Sequence, residues 1–250
     1  MDTAKKGKVK EYFQNLKRQL FKDLEYLGTV TSIVSNSTRK DATEEDFEFL
    51  IYDMKKCLQQ DNTESLYINQ TLRKVMQSKN LYHIYRVAYE LQDLYPTQNL
   101  LDNILQSKDP RYNWLCAKNI KDVDRTAHCQ EVVASRDSYY NYCCARDVES
   151  ADIQAHGQVI IDNKNPRLNY MYARDIKGAN MLRHGQVLLE SKHPKWNFEF
   201  AKNVKGADKY AHGTVVKNTG DKYYISKFED KIGKEFMEPK IYKTSNFELK

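Results

Sequence analysis

DPRYNWLCAKNIKDVDRTAHCQEVVASR, residues 109–136, is the first of four gapless copies of a 28-residue pattern. The other copies occupy residues 137–164, 165–192 and 193–220. Three columns hold the same residue type in every copy: Asn113, Asn141, Asn169 and Asn197; Ala117, Ala145, Ala173 and Ala201; and His128, His156, His184 and His212. A fixed period of this length is typical of stacked repeats, in which each unit buries its apolar face against its neighbours.

Each copy has the pattern of two short helices, which we call helix A and helix B. Asp109, Asn165 and His193 stand directly before a Pro, and a capping side chain followed by Pro is a helix-start signal. In the third copy, Gly178-Ala179-Asn180 is expected to end helix A and to cap helix B, which stops at Ser191-Lys192. Each helix has about ten residues, which is marginal for a helix on its own. Neighbouring repeats must therefore supply the burial.

The regions that flank the four copies predict helical caps. Residues 5–27 form an amphipathic helical pattern, residues 29–40 are typical of a flexible connection, and two further apolar helical patterns follow. Residues 80–108 are a degenerate copy of the repeat. The predicted fold class is all-α, an α-solenoid of 28-residue helix-turn-helix repeats with divergent helical caps. The predicted domains are an N-terminal helical cap region over 1–79, the tandem repeats over 80–220, and a C-terminal capping helix and tail over 221–250.

Composition limits where the protein acts and what it binds. The chain has 250 residues, is 40% hydrophobic and carries a formal net charge of +6. It has no apolar run close to 18 residues, and no apolar segment follows its charged start, MDTAKKGKVK. We therefore expect a cytoplasmic protein that does not bind a membrane. Five cysteines without a CxxC pair favour reduced thiols that are used in packing.

The His column is the first candidate for chemistry, because imidazole can bind metals or transfer protons. Successive His residues on stacked helices lie roughly 8–10 Å apart, which is too far to share one metal ion. The favoured interpretation is structural, with each His buried and neutral. Its expected hydrogen-bond partner is the Asn column or one of the helix A residues Asn119, Asp147, Asp175 and Asn203.

Nucleophilic chemistry has little support in the sequence. Cys129 stands where the other copies have Gly, and Cys143 and Cys144 occupy columns that look like packing positions. The chain has no nucleotide-binding, zinc-protease or paired-carboxylate motif. The sequence therefore predicts a protein that is not an enzyme and has neither a cofactor nor a metal site.

Helix A also carries aromatic and basic columns. Aromatic and Arg side chains are favoured anchors of protein interfaces, and the basic columns would form a ridge on stacked helices. The predicted partner-binding residues are Arg111, Tyr112, Lys118, Tyr139, Tyr140, Arg146, Arg167, Arg174, Lys195 and Lys202. Two partner classes stay open: a protein or ribonucleoprotein, or a nucleic acid whose phosphates follow the ridge. The structural alternative is a solvated helix face.

YNYCCARDVESADIQAHGQVI and LNYMYARDIKGANMLRHGQVL resemble short helical tandem repeats of uncharacterised bacteriophage and bacterial proteins and, more loosely, TPR- and HEAT-type α-solenoids. The resemblance spans residues 80–232 and rests on a structural motif. It implies a stacked helical scaffold of viral or mobile-element origin and transfers no catalytic residue. On this resemblance alone we expect a phage-encoded inhibitor of a host defence complex that acts in the host cytoplasm.

Overall fold

The computed structural model describes residues 44–59 and 66–238, and every regular element within them is helical. These residues contain thirteen α-helices and one 3-10 helix. The predicted helix over 5–27, the predicted connection over 29–40 and the tail from Pro239 lie outside the described residues. The predicted all-α fold class is confirmed.

The chain divides into two compact units, Met1–Val123 and Asp124–Lys250. The first contains α1 (Glu44–Gln59), α2 (Leu66–Gln77), α3 (Leu81–Leu91), α4 (Gln98–Ser107) and α5 (Pro110–Asn119). The second contains α6 (Arg125–Ser135), α7 (Ser138–Asp147), α8 (Ile153–Asp162), α9 (Pro166–Asp175), α10 (Met181–Ser191), α11 (Pro194–Asn203), α12 (Lys209–Thr219), α13 (Lys222–Lys231) and the 3-10 helix (Lys234–Met237). The domain limits at residues 79 and 220 stay a prediction.

In the first unit, α3 is the helix around which the others pack. It contacts α1, α2, α4 and α5, and its Ile84, Val87 and Leu91 are completely buried. The two apolar patterns that precede residue 80 form α1 and α2. The degenerate copy forms α3 and α4, and Asn80 caps α3 by accepting hydrogen bonds from the N–H groups of Tyr82 and His83.

In the second unit, helix A of each copy is an odd-numbered helix and helix B is an even-numbered one. Each helix from α6 to α11 contacts the next two helices along the chain, which is the packing pattern of an α-solenoid. The apolar contacts recur between copies: Tyr170, Leu188 and Phe200 share one buried cluster, and Phe198 and Phe228 share another. The 3-10 helix packs on α12 and α13 and was not predicted.

Asp109 and Asn165 cap α5 and α9 as predicted, whereas the third predicted cap, His193, makes no side-chain cap hydrogen bond in α11. Asp137 accepts hydrogen bonds from the backbone N–H groups of the first turn of α7, and Asn165 accepts one in α9. Helix B has an equivalent cap, as Asp152 and Asn180 show in α8 and α10. The sequence therefore defines where each helix of a repeat starts.

The turn between the two helices is longer than the sequence indicates. Helix A of the third copy ends at Asp175, so Gly178-Ala179-Asn180 does not itself terminate it. Gly178 lies within the turn with φ of +87°, a left-handed conformation that suits glycine. Asn180 caps α10 as predicted.

Candidate partner-binding surface

The invariant Asn and His columns form a buried polar ladder inside the second unit. Nδ1 of His156 lies 2.7 Å from Oδ1 of Asn141, and the same 2.7 Å separation joins His184 to Asn169 and His212 to Asn197. Asn113 and His128, the remaining members of these columns, are also buried. Of the two kinds of partner that the sequence leaves open, these three His residues bond the Asn column.

Each Asn of the ladder also joins two backbone segments through its side-chain amide. The Nδ2 group of Asn169 donates to the carbonyl oxygens of Ile160 at 3.0 Å and Asn165 at 2.9 Å, so it links the end of one helix B to the start of the next helix A. Because both Nδ2 hydrogens are used in this way, Oδ1 is the acceptor, and His184 must donate from Nδ1. The hydrogen bonds of His184 therefore fix the orientation of its ring and give it a structural role.

Burial keeps His184 and His212 neutral at pH 7. It lowers the pKa of His184 to about 4, with a smaller effect in the same direction from Arg183. It also lowers the pKa of His212 to about 4, against a small opposing effect of Asp208. An imidazole of this kind is not positioned for proton transfer at neutral pH.

The predicted cations of helix A lie over aromatic rings. The guanidinium of Arg174 is 5.0 Å from the ring centroid of Tyr170, four residues before it, and Arg146 lies 5.2 Å from Tyr142 in the same way. Lys202 repeats the arrangement over Phe198 at 5.7 Å. These contacts hold the long basic side chains against helix A, where they cover rings that are otherwise buried.

The two arginines of this column are also paired with acidic neighbours. Arg146 makes two hydrogen bonds to Asp147, at 2.7 and 3.0 Å, and Arg174 makes two to Asp175, at 2.6 and 2.8 Å. The hydrogen bond from Arg174 lowers the pKa of Asp175, so the carboxylate stays charged. Two cations of the predicted basic ridge, Arg146 and Arg174, are thus partly neutralised by neighbouring carboxylates.

Beside the cations runs a column of half-buried side chains. It contains Tyr140, Leu168, Trp196 and Tyr224, which occupy the same position of helix A in α7, α9, α11 and α13. The preceding position is exposed in each of these helices and holds Tyr139, Arg167, Lys195 and Tyr223. Because α7, α9, α11 and α13 contact one another in succession, these positions lie side by side.

We call this surface the helix A strip: Tyr139, Tyr140, Arg146, Arg167, Leu168, Arg174, Lys195, Trp196, Lys202, Tyr223 and Tyr224. It unites seven of the predicted binding residues and adds Leu168, Trp196, Tyr223 and Tyr224, which the sequence prediction missed. Their position in the repeat could have identified them, because each shares a column with a predicted residue. The other three predicted residues, Arg111, Tyr112 and Lys118, lie on α5 of the first unit, where Tyr112 is half-buried and the two cations are exposed.

The rings of the strip are held in fixed orientations. Tyr139 and Tyr140 make an edge-on contact with centroids 5.3 Å apart, and Tyr223 and Tyr224 repeat it at 5.0 Å. Trp196 lies 5.7 Å from Tyr170 and carries the ammonium of Lys195 at 4.7 Å. Tyr139 and Tyr223 are nevertheless 56% and 59% exposed. Rings that are ordered and exposed can bind a partner at a low entropic cost.

A group of three potential metal ligands also lies in the second unit, and the sequence prediction of no metal site did not foresee it. Cys129, Cys144 and His156 are buried, and their ligand atoms all lie within 4.8 Å of one another. The two Sγ atoms are 2.8 Å apart. The hydrogen bond between the two thiols lowers the pKa of Cys129, with a further contribution from His156, and raises the pKa of Cys144.

Comparison of the chain with models of known protein families, with curated proteins and with solved structures found no match. None of the helices in residues 44–59 and 66–238 combines the length and the apolar character that a membrane-spanning segment needs.

Proposed function

We propose that this protein is a non-enzymatic α-solenoid binding protein whose helix A strip engages a protein or ribonucleoprotein partner. The observation that supports the proposal is the column of half-buried side chains on the four neighbouring helices α7, α9, α11 and α13, three of them aromatic, flanked by arginines that are stacked on aromatic side chains. Aromatic and Arg side chains carry a disproportionate share of the binding energy in protein interfaces. From the resemblance alone we further propose a phage-encoded inhibitor of a host defence complex.

The charge of the strip favours a protein surface over a bare phosphate backbone. Arg146 and Arg174 are each committed to a carboxylate by two hydrogen bonds. A phosphate would have to displace these carboxylates, whereas a protein partner can meet the mixed charges with its own rim residues. The exposed cations Arg167, Lys195 and Lys202 support the second candidate, a nucleic acid bound along the same helices.

The test is affinity capture with the strip intact and with its exposed rings removed. Wild-type chain and the double variant Tyr139→Ala/Tyr223→Ala are immobilised and exposed to lysate of the encoding organism or its host, with and without nuclease. Leu182→Ala is the matched control, because Leu182 is an 84% exposed apolar residue on helix B. We expect a nuclease-resistant partner that binds the wild type and the control and is lost in the double variant. Equal capture by all three proteins would exclude the strip as the binding surface.

Direct titration separates the two partner classes. Binding of labelled single-stranded and duplex oligonucleotides is measured by fluorescence anisotropy between about 50 and 200 mM salt, where phosphate contacts lose affinity steeply. We expect weak oligonucleotide binding and a captured protein whose affinity changes little over this range. Tight oligonucleotide binding that weakens steeply with salt, and further in Arg167→Glu/Lys195→Glu, would establish the nucleic-acid function instead.

A further inference from the structure

The group formed by Cys129, Cys144 and His156 has two structural counterparts in the following copies. Residues with the same spacing are Gly157, Tyr172 and His184, and then Gly185, Phe200 and His212. In each counterpart the glycine faces the aromatic ring and the His of the next copy: a Cβ on Gly157 would lie 3.1 Å from the Tyr172 ring and 3.4 Å from Nε2 of His184. The same place in the repeat is thus filled by glycine and a ring twice, and by two cysteines once.

Space-filling explains part of this exchange. A smaller residue in place of the ring leaves room for a side chain in place of the glycine, and any apolar pair of suitable volume would satisfy that requirement. Volume does not explain why both positions carry thiols that converge on an imidazole. Sulfur and imidazole nitrogen are the ligands that Zn²⁺ prefers in proteins.

The hydrogen bonds of His156 leave its Nε2 atom available to a metal ion. Nδ2 of Asn141 donates to the carbonyl oxygens of Val132 and Asp137, both at 2.8 Å, so Oδ1 of Asn141 accepts the Nδ1–H of His156. The lone pair is therefore on Nε2, which is buried and has no hydrogen-bond partner in the described part of the chain. A ligand His held by a hydrogen bond at its other nitrogen is the usual arrangement at metal sites.

An unpartnered Nε2 is not by itself sufficient evidence. His184 has one as well, but its ring packs against Tyr172 with centroids 4.8 Å apart and has a glycine beside it. What distinguishes His156 is the two sulfur atoms that occupy this space.

We propose that Cys129, Cys144 and His156 form a binding site for a thiophilic divalent cation, with Zn²⁺ as the favoured ion. Two thiolates and a neutral imidazole balance the charge of Zn²⁺, so the buried complex is neutral. Binding converts two thiols into thiolates and releases two protons, with no change of oxidation state. Tetrahedral coordination at about 2.3 Å per Zn–S bond requires the sulfur atoms to separate by about 1 Å from their 2.8 Å spacing.

A water molecule from an adjacent cavity can supply the fourth ligand. A cavity of about 290 Å³ is lined by Cys129 and His156 and also by the exposed residues Gln130, Ser150 and Asp152. It therefore connects the two ligands with the surface and can admit the ion and a water molecule. Bound in this way, the ion would join α6, α7 and α8, which belong to two successive copies.

The test is titration of the reduced full-length chain with Co²⁺ as a spectroscopic probe, followed by displacement with Zn²⁺. We expect one Co²⁺ per chain, thiolate-to-cobalt charge-transfer absorption and the visible bands of a four-coordinate ion. The key variant is Cys129→Gly/Cys144→Tyr, which recreates the residues of the next copy and should fold. Its affinity should be lower by at least about 100-fold. His156→Asn keeps a donor for Asn141 and removes Nε2, so it should lower the affinity by at least about tenfold.

The matched control is Cys143→Leu, because Cys143 is a buried neighbour of the site and the first copy has Leu115 in that column. It should bind Co²⁺ like the wild type. Equal binding by the Gly/Tyr double variant would place the ion elsewhere and overturn the proposal. So would a reduced wild type that shows no charge-transfer band, whether or not the same protein forms a Cys129–Cys144 disulfide in air.

Discussion

His184 and His212 should make the folded protein sensitive to mild acid. Both are buried and neutral, and burial lowers the pKa of each from an ordinary value of 6.5 to about 4. In the unfolded chain the same imidazoles take up a proton near pH 6.5. The unfolded state therefore binds more protons than the folded state between these two values, and stability is lost as the pH falls through this window.

The size of the effect follows from the two pKa values. At pH 7.5 almost no unfolded His is protonated, so the stability contribution is fully present. At pH 5.5 the free energy of unfolding should be lower than at pH 7.5 by about 1.4 kcal/mol for each His, or by roughly 3 kcal/mol for the pair. The loss should approach its limit of about 3.4 kcal/mol for each His near pH 4 and below it.

Urea unfolding at pH 7.5 and 5.5 measures this loss. The comparison is between wild type and His184→Asn/His212→Asn, because an Asn can donate to the Asn of its rung and does not titrate. The variant can be less stable than the wild type at both pH values. Its loss of unfolding free energy between pH 7.5 and pH 5.5 should nevertheless be smaller than that of the wild type by roughly 3 kcal/mol. An equal pH dependence in the two proteins would refute the conclusion that these imidazoles are buried and neutral.

Three further substitutions test the packing of the repeats by urea or thermal unfolding. Asn169→Ala should cost about 2–3 kcal/mol, because it leaves the buried Ile160 carbonyl and the buried His184 imidazole without a partner, whereas the exposed Asn163→Ala should cost less than about 1 kcal/mol. Ala173→Leu should cost about 1–3 kcal/mol by overpacking a 6% exposed site, and a neutral result would contradict the packing of helix A. Lys192→Gly should stabilise by about 0.5–1 kcal/mol, because Lys192 ends α10 with φ of 52°, and a loss of stability would contradict this reading of the turn.

The repeat made most of the local structure predictable. A capping residue before a Pro-led apolar pattern specifies a helix start through backbone hydrogen bonds that form within one turn. Helices therefore start at Pro110 and Pro166, where Asp109 and Asn165 cap them. The helix at Pro194 also starts where the sequence indicates, although His193 makes no side-chain cap hydrogen bond. The four aligned copies also indicated which polar residues are buried, because a polar residue type that recurs in every copy occupies the same environment in each repeat. The buried, structural role of the His column was inferred in that way, with the Asn column as one of two possible partners.

The predicted binding columns were harder to interpret, because exposure and charge pairing depend on neighbouring helices. The sequence shows Arg146 beside Asp147 in a column of cations. It does not show that Arg146 stacks on Tyr142 while it holds Asp147, or that Tyr142 donates at 2.7 Å to Asp175 in the next copy. Those contacts turn a predicted basic ridge into a mixed surface of rings and partly neutralised charges.

By itself, the sequence determined the repeat length, the helix starts and the residues of the ladder, because these depend on period and on contacts within a few residues. Only the tertiary structure decided that Cys129, Cys144 and His156 converge. These residues are 15 and 12 positions apart and lie on three helices, so no local pattern links them. They meet because stacking one 28-residue copy on the next places helix B of the first against both helices of the second.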